Sequence, residues 1–248
     1  MQAAAFLAAA AALPVADLDA ISRRGLVVVA PHADDESLGC GGLIAEAAAR
    51  GRDVRVVIVS DGCGSHTHSK EYPPERLRAL RETEAQDAVE ILGLSRGAVS
   101  FLRLPDAGVP SSGPDAEAAA EAIAEVARFC GADAICVTWG HDPHCDHQAS
   151  AAIATLAQRL VPEAALLAYP VWGWTLPADK EVGEAPQGYR LDVEAHRGAK
   201  RRAILAHRSQ TGGFIADDPT GFQLAPEMID HFTGPHEIFV TMAAGTSR

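Results

Sequence analysis

Val27–Gly42, VVVAPHADDESLGCGG, runs from an apolar segment straight into one histidine, two aspartates and a glutamate. Residues 25–30 (GLVVVA) have the β-branched content of a buried strand. His32, Asp34, Asp35 and Glu36 therefore stand at a strand end, just ahead of a helix-like segment over 41–51. Acidic residues suit a helix N-terminus, where the backbone dipole attracts negative charge. That explains DDES as a cap, but it does not explain His32.

Working outward, further apolar runs over 54–60, 98–104, 133–139 and 164–172 read as strands. Amphipathic segments over 76–93, 115–131 and 147–160 read as the helices between them. Near-continuous apolar strands separated by helices predict an α/β, Rossmann-like fold, a mostly parallel sheet covered by helices on both faces. The chain reads as one domain, 1–248, with an N-terminal helix or leader over 1–24, a core sheet over 25–172 and a less regular part over 173–248. That last part holds a basic helix over 193–209, the turn-rich TGGFIADDPTGF and a short strand, EIFVTM. The alanine-rich start has no basic residues ahead of its apolar segment, which argues against a secretory signal.

Hydrophobic residues are 48% and charged residues 22% of the 248, the balance of a globular protein. With 33 acidic against 21 basic residues the formal charge is −12, which argues against nucleic acid as a partner. Five cysteines without a C-x-x-C pair point to reduced thiols and a cytoplasmic protein. No long apolar run predicts a membrane span. Assembly as a homo-oligomer is compatible with this reading.

In open α/β sheets ligands bind beyond the carboxyl ends of the strands. The fourth strand also ends in a dense cluster, WGHDPHCDHQAS, with His141, Asp142, His144, Asp146 and His147. His32 and Asp35 span one turn, and either His144 or His147 would complete a His₂Asp set with a position open for water. Imidazole and carboxylate donors suit Zn²⁺ and also other divalent metals such as Fe²⁺. Asp34 beside the ligands is then the general base for a metal-activated water. The remaining histidine would stabilise the oxyanion or protonate the leaving group, and Asp146 would orient the imidazole of His144.

PHADDESLGCGG and HCDHQAS resemble the two signatures of the PIG-L/LmbE-like zinc-dependent N-acetylglucosaminyl deacetylases. The similarity extends through SDGCGSH, RETEAQDAVEILG, FLRLPD and AHRSQT, most of Leu26 to Thr211. The resemblance implies His32, Asp35 and His147 as zinc ligands, Asp34 as base, and His144 as the electrophilic or acid histidine with Asp146 behind it. It also implies a small-molecule N-acetyl amino sugar or glycoconjugate as substrate. Ala33 and Cys145 stand where the family usually has proline.

Four further residues are candidates for substrate binding. His66, with His68, lies in the loop after the second strand, and Asp106 lies just past the third. Arg81 is similar to the arginine of the family's Arg-x-x-Glu, with Glu84 as its partner. Trp172 and Trp174 follow the fifth strand, where an indole can cover a sugar face. Two readings compete with an enzyme. One is a nucleotide-binding Rossmann-like module suggested by GCGG, which lacks the final glycine of the dinucleotide pattern. The other is a metal-binding protein without catalysis.

Overall fold

The computed structural model describes residues 1–242. The apolar run that opens the sheet forms β2 (Gly25–Ala30), after α1 (Ala3–Ala11), β1 (Val15–Ala16) and α2 (Leu18–Ile21). There follow α3 (Asp35–Ala49), β3 (Val54–Ser60), α4 (Pro74–Ile91), β4 (Val99–Leu104), α5 (Pro114–Phe129), β5 (Ala132–Thr138), α6 (Cys145–Leu160) and β6 (Ala165–Tyr169). The rest is β7 (Gly188–Asp192), α7 (Arg197–Ala206), α8 (Arg208–Thr211), α9 (Pro226–Phe232) and β8 (His236–Thr241). Residues 243–248 of the expected C-terminal part lie outside the described residues.

All eight strands form one sheet in the order β1-β7-β8-β6-β5-β2-β3-β4. Every pairing is parallel except those of β8 with β6 and β7. Side chains of β2 alternate between two cores. Leu26, Val28 and Ala30 pack with residues of α3, α4 and α7, while Val27 and Val29 pack with residues of α5 and α6. Helices on both faces explain why the strand reads as an unbroken apolar run. From β2 the chain moves to β3 on one side and later returns through β5 on the other. This reversal of strand order opens a crevice at the carboxyl ends of β2 and β5, where both charged clusters fall.

Several boundaries differ from the sequence reading. α3 starts at Asp35, so the charged turn is part of the helix start rather than a loop before it. β6 stops at Tyr169, and a 3₁₀ turn, Trp172–Thr175, follows. The basic helix over 193–209 is divided, because His207 (φ −77°, ψ 62°) leaves helical geometry between α7 and α8. β1 and β7 were not expected: β1 is two residues long, and the half-buried GYRLD of β7 gives no apolar run. Residues 3–11 form a helix that packs on the sheet, with Phe6 stacked on Trp139 at 4.5 Å between centroids. Among the described residues no helix is long and apolar enough to cross a membrane.

Candidate metal centre and active site

The turn from β2 to α3 is short, and Asp34 closes it at φ 152°, ψ −30°. Holding an L-residue in that region costs ~1–3 kcal/mol and persists only where the surroundings impose it. The Asp34 carboxylate makes no capping bond, so the cap reading does not apply to it. Instead Glu36 accepts the Asp34 N–H at 3.0 Å, and the Asp34 carboxylate turns into a cavity, 3.7 Å from the Arg81 guanidinium. Glu36 is fully buried and also receives Ser37 Oγ at 2.7 Å and His207 Nε2 at 2.9 Å. Burial, then the Asp35 charge, push the Asp34 carboxyl up to about 6, against the pull of Arg81, His207 and His32.

Asp35 Oδ2 lies 3.3 Å from His32 Nδ1 and 3.2 Å from His147 Nε2, bringing together the three residues expected as ligands. Burial alone would raise the Asp35 carboxyl. The charge of His147, then the hydrogen bond and charge of His32, hold it well below the usual carboxylate range. His147 moves the opposite way: burial lowers it, while Asp35 and the bond to Asp142 raise it further. Although Nε2 is within ion-pair distance of Asp35, it has no hydrogen-bond partner in proper geometry among the described residues. A buried ring nitrogen aimed at a shared carboxylate, with a second imidazole alongside, fits a divalent cation. The cation would take the place of the proton on that nitrogen. The N₂O donor set suits zinc or iron.

Asp142 is the residue the sequence reading left without a role. It is fully buried and accepts His147 Nδ1 at 2.9 Å. It also accepts the backbone N–H groups of Val171 and Trp172 at 3.1 Å each and of Gly173 at 2.6 Å. A carboxylate on the far ring nitrogen fixes tautomer and orientation, leaving Nε2 free for a metal. The signal available in sequence was its spacing, five residues ahead of His147 on the turn entering α6.

Asp146 corrects an expectation. Its carboxylate does not orient His144. It lies 3.2 Å from His32 Nε2 and accepts the N–H groups of Ala107 at 2.7 Å and Val109 at 3.1 Å. His144 instead caps α6, its Nδ1 accepting the backbone N–H of Asp146 at 3.2 Å. Burial and the charges of His32 and His147 lower the His144 pKa. The neutral ring therefore carries its proton on Nε2, a donor at the cavity wall. The ring nitrogens of His32, His144 and His147 lie within 4.8 Å of one another.

Asp106 lines the cavity but is occupied, with Oδ1 3.2 Å from His32 Nε2 and Oδ2 accepting Gly64 N–H at 2.7 Å. Both of its oxygens thus have protein partners, His32 and Gly64, and neither is left free for a sugar hydroxyl. Arg81 and Glu84 do not pair with each other, since both are buried on different partners. Arg81 binds the carbonyls of Ala33 at 3.0 Å and Gly62 at 3.1 Å, so Ala33 is held despite lacking a proline ring. Glu84 accepts Ser209 N–H at 2.9 Å and Oγ at 2.6 Å. Burial and Asp146 raise the exposed Cys145 thiol, which opposes a thiolate competing for metal.

Trp172 lines the cavity, as expected, edge-on to Phe222. His66 does not. Its ring packs against Gly221, where a Cβ would come within 2.1 Å of Cδ2, and it is absent from the lining. Phe222 and Gln210, from the irregular C-terminal part, take the wall His66 was expected to form. Asp217 and Asp218 tie that part to the loop after β3, accepting N–H groups of His68, Lys70 and Glu71. The GCGG glycines sit inside α3. A Cβ on Gly39 would meet the Tyr169 ring at 2.1 Å, and one on Gly42 would meet Val193 at 2.4 Å. They serve close packing, not a phosphate loop, which removes the basis for the nucleotide-binding reading.

The sequence matches the family model PIG-L, GlcNAc-PI de-N-acetylase, over residues 27–158. It is 27% identical to a 1D-myo-inositol 2-acetamido-2-deoxy-alpha-D-glucopyranoside deacetylase of Rhodococcus jostii, across 91% of this chain and 94% of that protein. Among solved structures, a conserved protein of Thermus thermophilus superposes with TM-score 0.63 at 25% identity, covering 90% of this chain and 96% of the other. The N,N'-diacetylchitobiose deacetylase of Pyrococcus horikoshii also superposes with TM-score 0.63. It is 19% identical and covers 89% and 84% of the two chains, a likeness of fold.

Proposed function

The chain belongs to the PIG-L (GlcNAc-PI de-N-acetylase) family, and on that premise we propose that it removes the N-acetyl group from an amino sugar conjugate with a divalent cation, zinc first, held by His32, Asp35 and His147. The observation that carries the reading is the convergence of three buried donors beside a carboxylate, Asp34, which is free of capping bonds and faces the same cavity. A cation bound there supplies Lewis-acid polarisation of water and of the acyl oxygen.

The side chains carry the proton steps. Asp34, steadied by Arg81, takes a proton from the attacking water as its oxygen bonds to the acyl carbon. His144 aims its Nε2–H at the acyl oxygen and stabilises by a hydrogen bond, without giving up the proton, the negative charge that builds there. Asp34 then returns the proton to the leaving nitrogen as the C–N bond breaks, giving acetate and a free amine. Asp142, Asp106 and Asp146 touch no substrate in this scheme; they hold the two ligand imidazoles.

Two measurements test the reading together. Purified protein should bind one equivalent of a divalent metal, lost in His147→Ala, and the loaded protein should release acetate from N-acetylglucosamine conjugates. A loaded protein that releases none from free, inositol-linked or lipid-linked N-acetylglucosamine overturns it.

A further inference from the structure

A second cavity of about 340 Å³ adjoins the catalytic one of about 180 Å³. They share three walls, His144, Trp172 and Phe222, and the outer one adds only Pro143 and Thr175. Ligand pockets commonly measure ~300–1,000 Å³, so the inner cavity alone accommodates the reacting end of a substrate and little more. A substrate with its acyl group at Asp34 therefore continues into the outer cavity. From this geometry we propose, resting on the deacetylase reading, that the outer cavity receives an apolar or aromatic aglycone, and that the preferred substrate is an apolar glycoside of an N-acyl amino sugar rather than a polyol one.

The chemistry of the walls separates those two classes. The inner cavity is crowded with charge from His32, Asp34, Asp35, Arg81 and Asp106. In the outer one the polar groups are few: His144, which faces both spaces, Thr175, whose hydroxyl donates to the Trp172 carbonyl at 2.8 Å, and the indole N–H of Trp172. A polyol placed there would keep most of its hydroxyls on solvent and gain little from these walls. An apolar ring meets two aromatic faces instead. Trp172 and Phe222 stand edge to face, 5.8 Å between centroids at 79°, and both are only partly buried by the protein. Both are fixed through the backbone. Trp172 N–H donates to Asp142 at 3.1 Å, and Phe222 N–H donates to the Ser65 carbonyl at 2.8 Å. Such pre-set aromatic walls bind a flat apolar group with little ordering cost.

The test compares phenyl N-acetylglucosaminide with inositol N-acetylglucosaminide. Calorimetric titration into metal-loaded Asp34→Asn protein measures binding without turnover. The phenyl glycoside should bind ~10-fold or more tightly, and Phe222→Ala in the same background should bring the two within about twofold. If Phe222→Ala fails to fold, Thr175→Glu at an exposed position places a charge in the same wall and should erase the same preference. Equal dissociation constants, tighter binding of the inositol glycoside, or a preference that survives both variants overturns the proposal. Acetate release by the unaltered loaded protein is read separately. Its absence with both glycosides would remove the deacetylase reading, while the titrations still decide what the outer cavity accepts.

Discussion

After β2, the chain aims its groups with a residue at φ 152° and with a buried pair, Glu36 and His207, whose members are 171 positions apart. After β5, the same task is done locally. Asp142 sets His147 from five residues away, and His144 is fixed by the helix it caps. Both loops reach the crevice at the strand ends, yet one depends on the distant C-terminal part and the other on its own turn. Damage to the first should therefore spread into catalysis and stability together, whereas damage to the second should stay with the metal.

The largest effect is expected at the strained residue. Asp34→Asn should lower kcat for acetate release by ~10²–10⁴-fold, the usual contribution of a positioned base, with metal content unchanged. An unchanged rate would remove the base assignment. Next comes the distant support. His207→Leu leaves Glu36 buried without its imidazole partner, and unpairing a buried charge costs ~3–5 kcal/mol, readable as a lower urea midpoint. His144→Ala, whose loss to the fold is a single helix cap, should cost ~0.5–2 kcal/mol of stability, apart from its effect on catalysis. Equal losses in these two variants would erase the distinction between the loops.

The same division decides what could be read from sequence. His32, Asp34, Asp35, His144 and His147 are legible because two short spacings at two strand ends already place them on one edge. The supports are not. Which ring Asp146 faces depends on β4 handing over to the turn at Ala107, whose N–H takes the same carboxylate. Glu36 has a role only because the chain breaks at His207 between two helices that read as one. His66 was misplaced since neighbouring the cavity in sequence says nothing about rotation toward Gly221. β1 and β7 escaped notice because a two-residue strand and a half-exposed one carry no periodic signal.

A smaller effect is expected at the local support. Asp142→Asn keeps one oxygen for the Val171 and Trp172 N–H groups and His147 Nδ1, but turns its NH₂ toward the Gly173 N–H and loses the charge opposite His147. Metal affinity, measured by competition with a chelator, should weaken by ~10–100-fold with the fold retained. A loss of folding instead would mean that Asp142 supports the 172–175 turn more than the metal.

The smallest effect is a pH dependence that tells the distant support from the local one. Burial lowers the His207 pKa, but the charge of Glu36 and its bond, then Asp34 and Glu84, leave it raised in the folded protein. A group raised on folding binds its proton more tightly in the native state. Its contribution is fully present below the unfolded value of about 6.5 and is lost as pH rises through the folded value. The urea midpoint of metal-free protein should therefore fall across that window relative to His207→Gln, which has no titrating group there. His144→Gln is the control. Its pKa is lowered by burial and by His32 and His147, so its linkage has the opposite sign, and stability should rise as pH climbs toward the unfolded value. Parallel curves for the two variants would show that the Glu36–His207 pair does not hold its proton through folding, and the contrast between the loops would then rest on geometry alone.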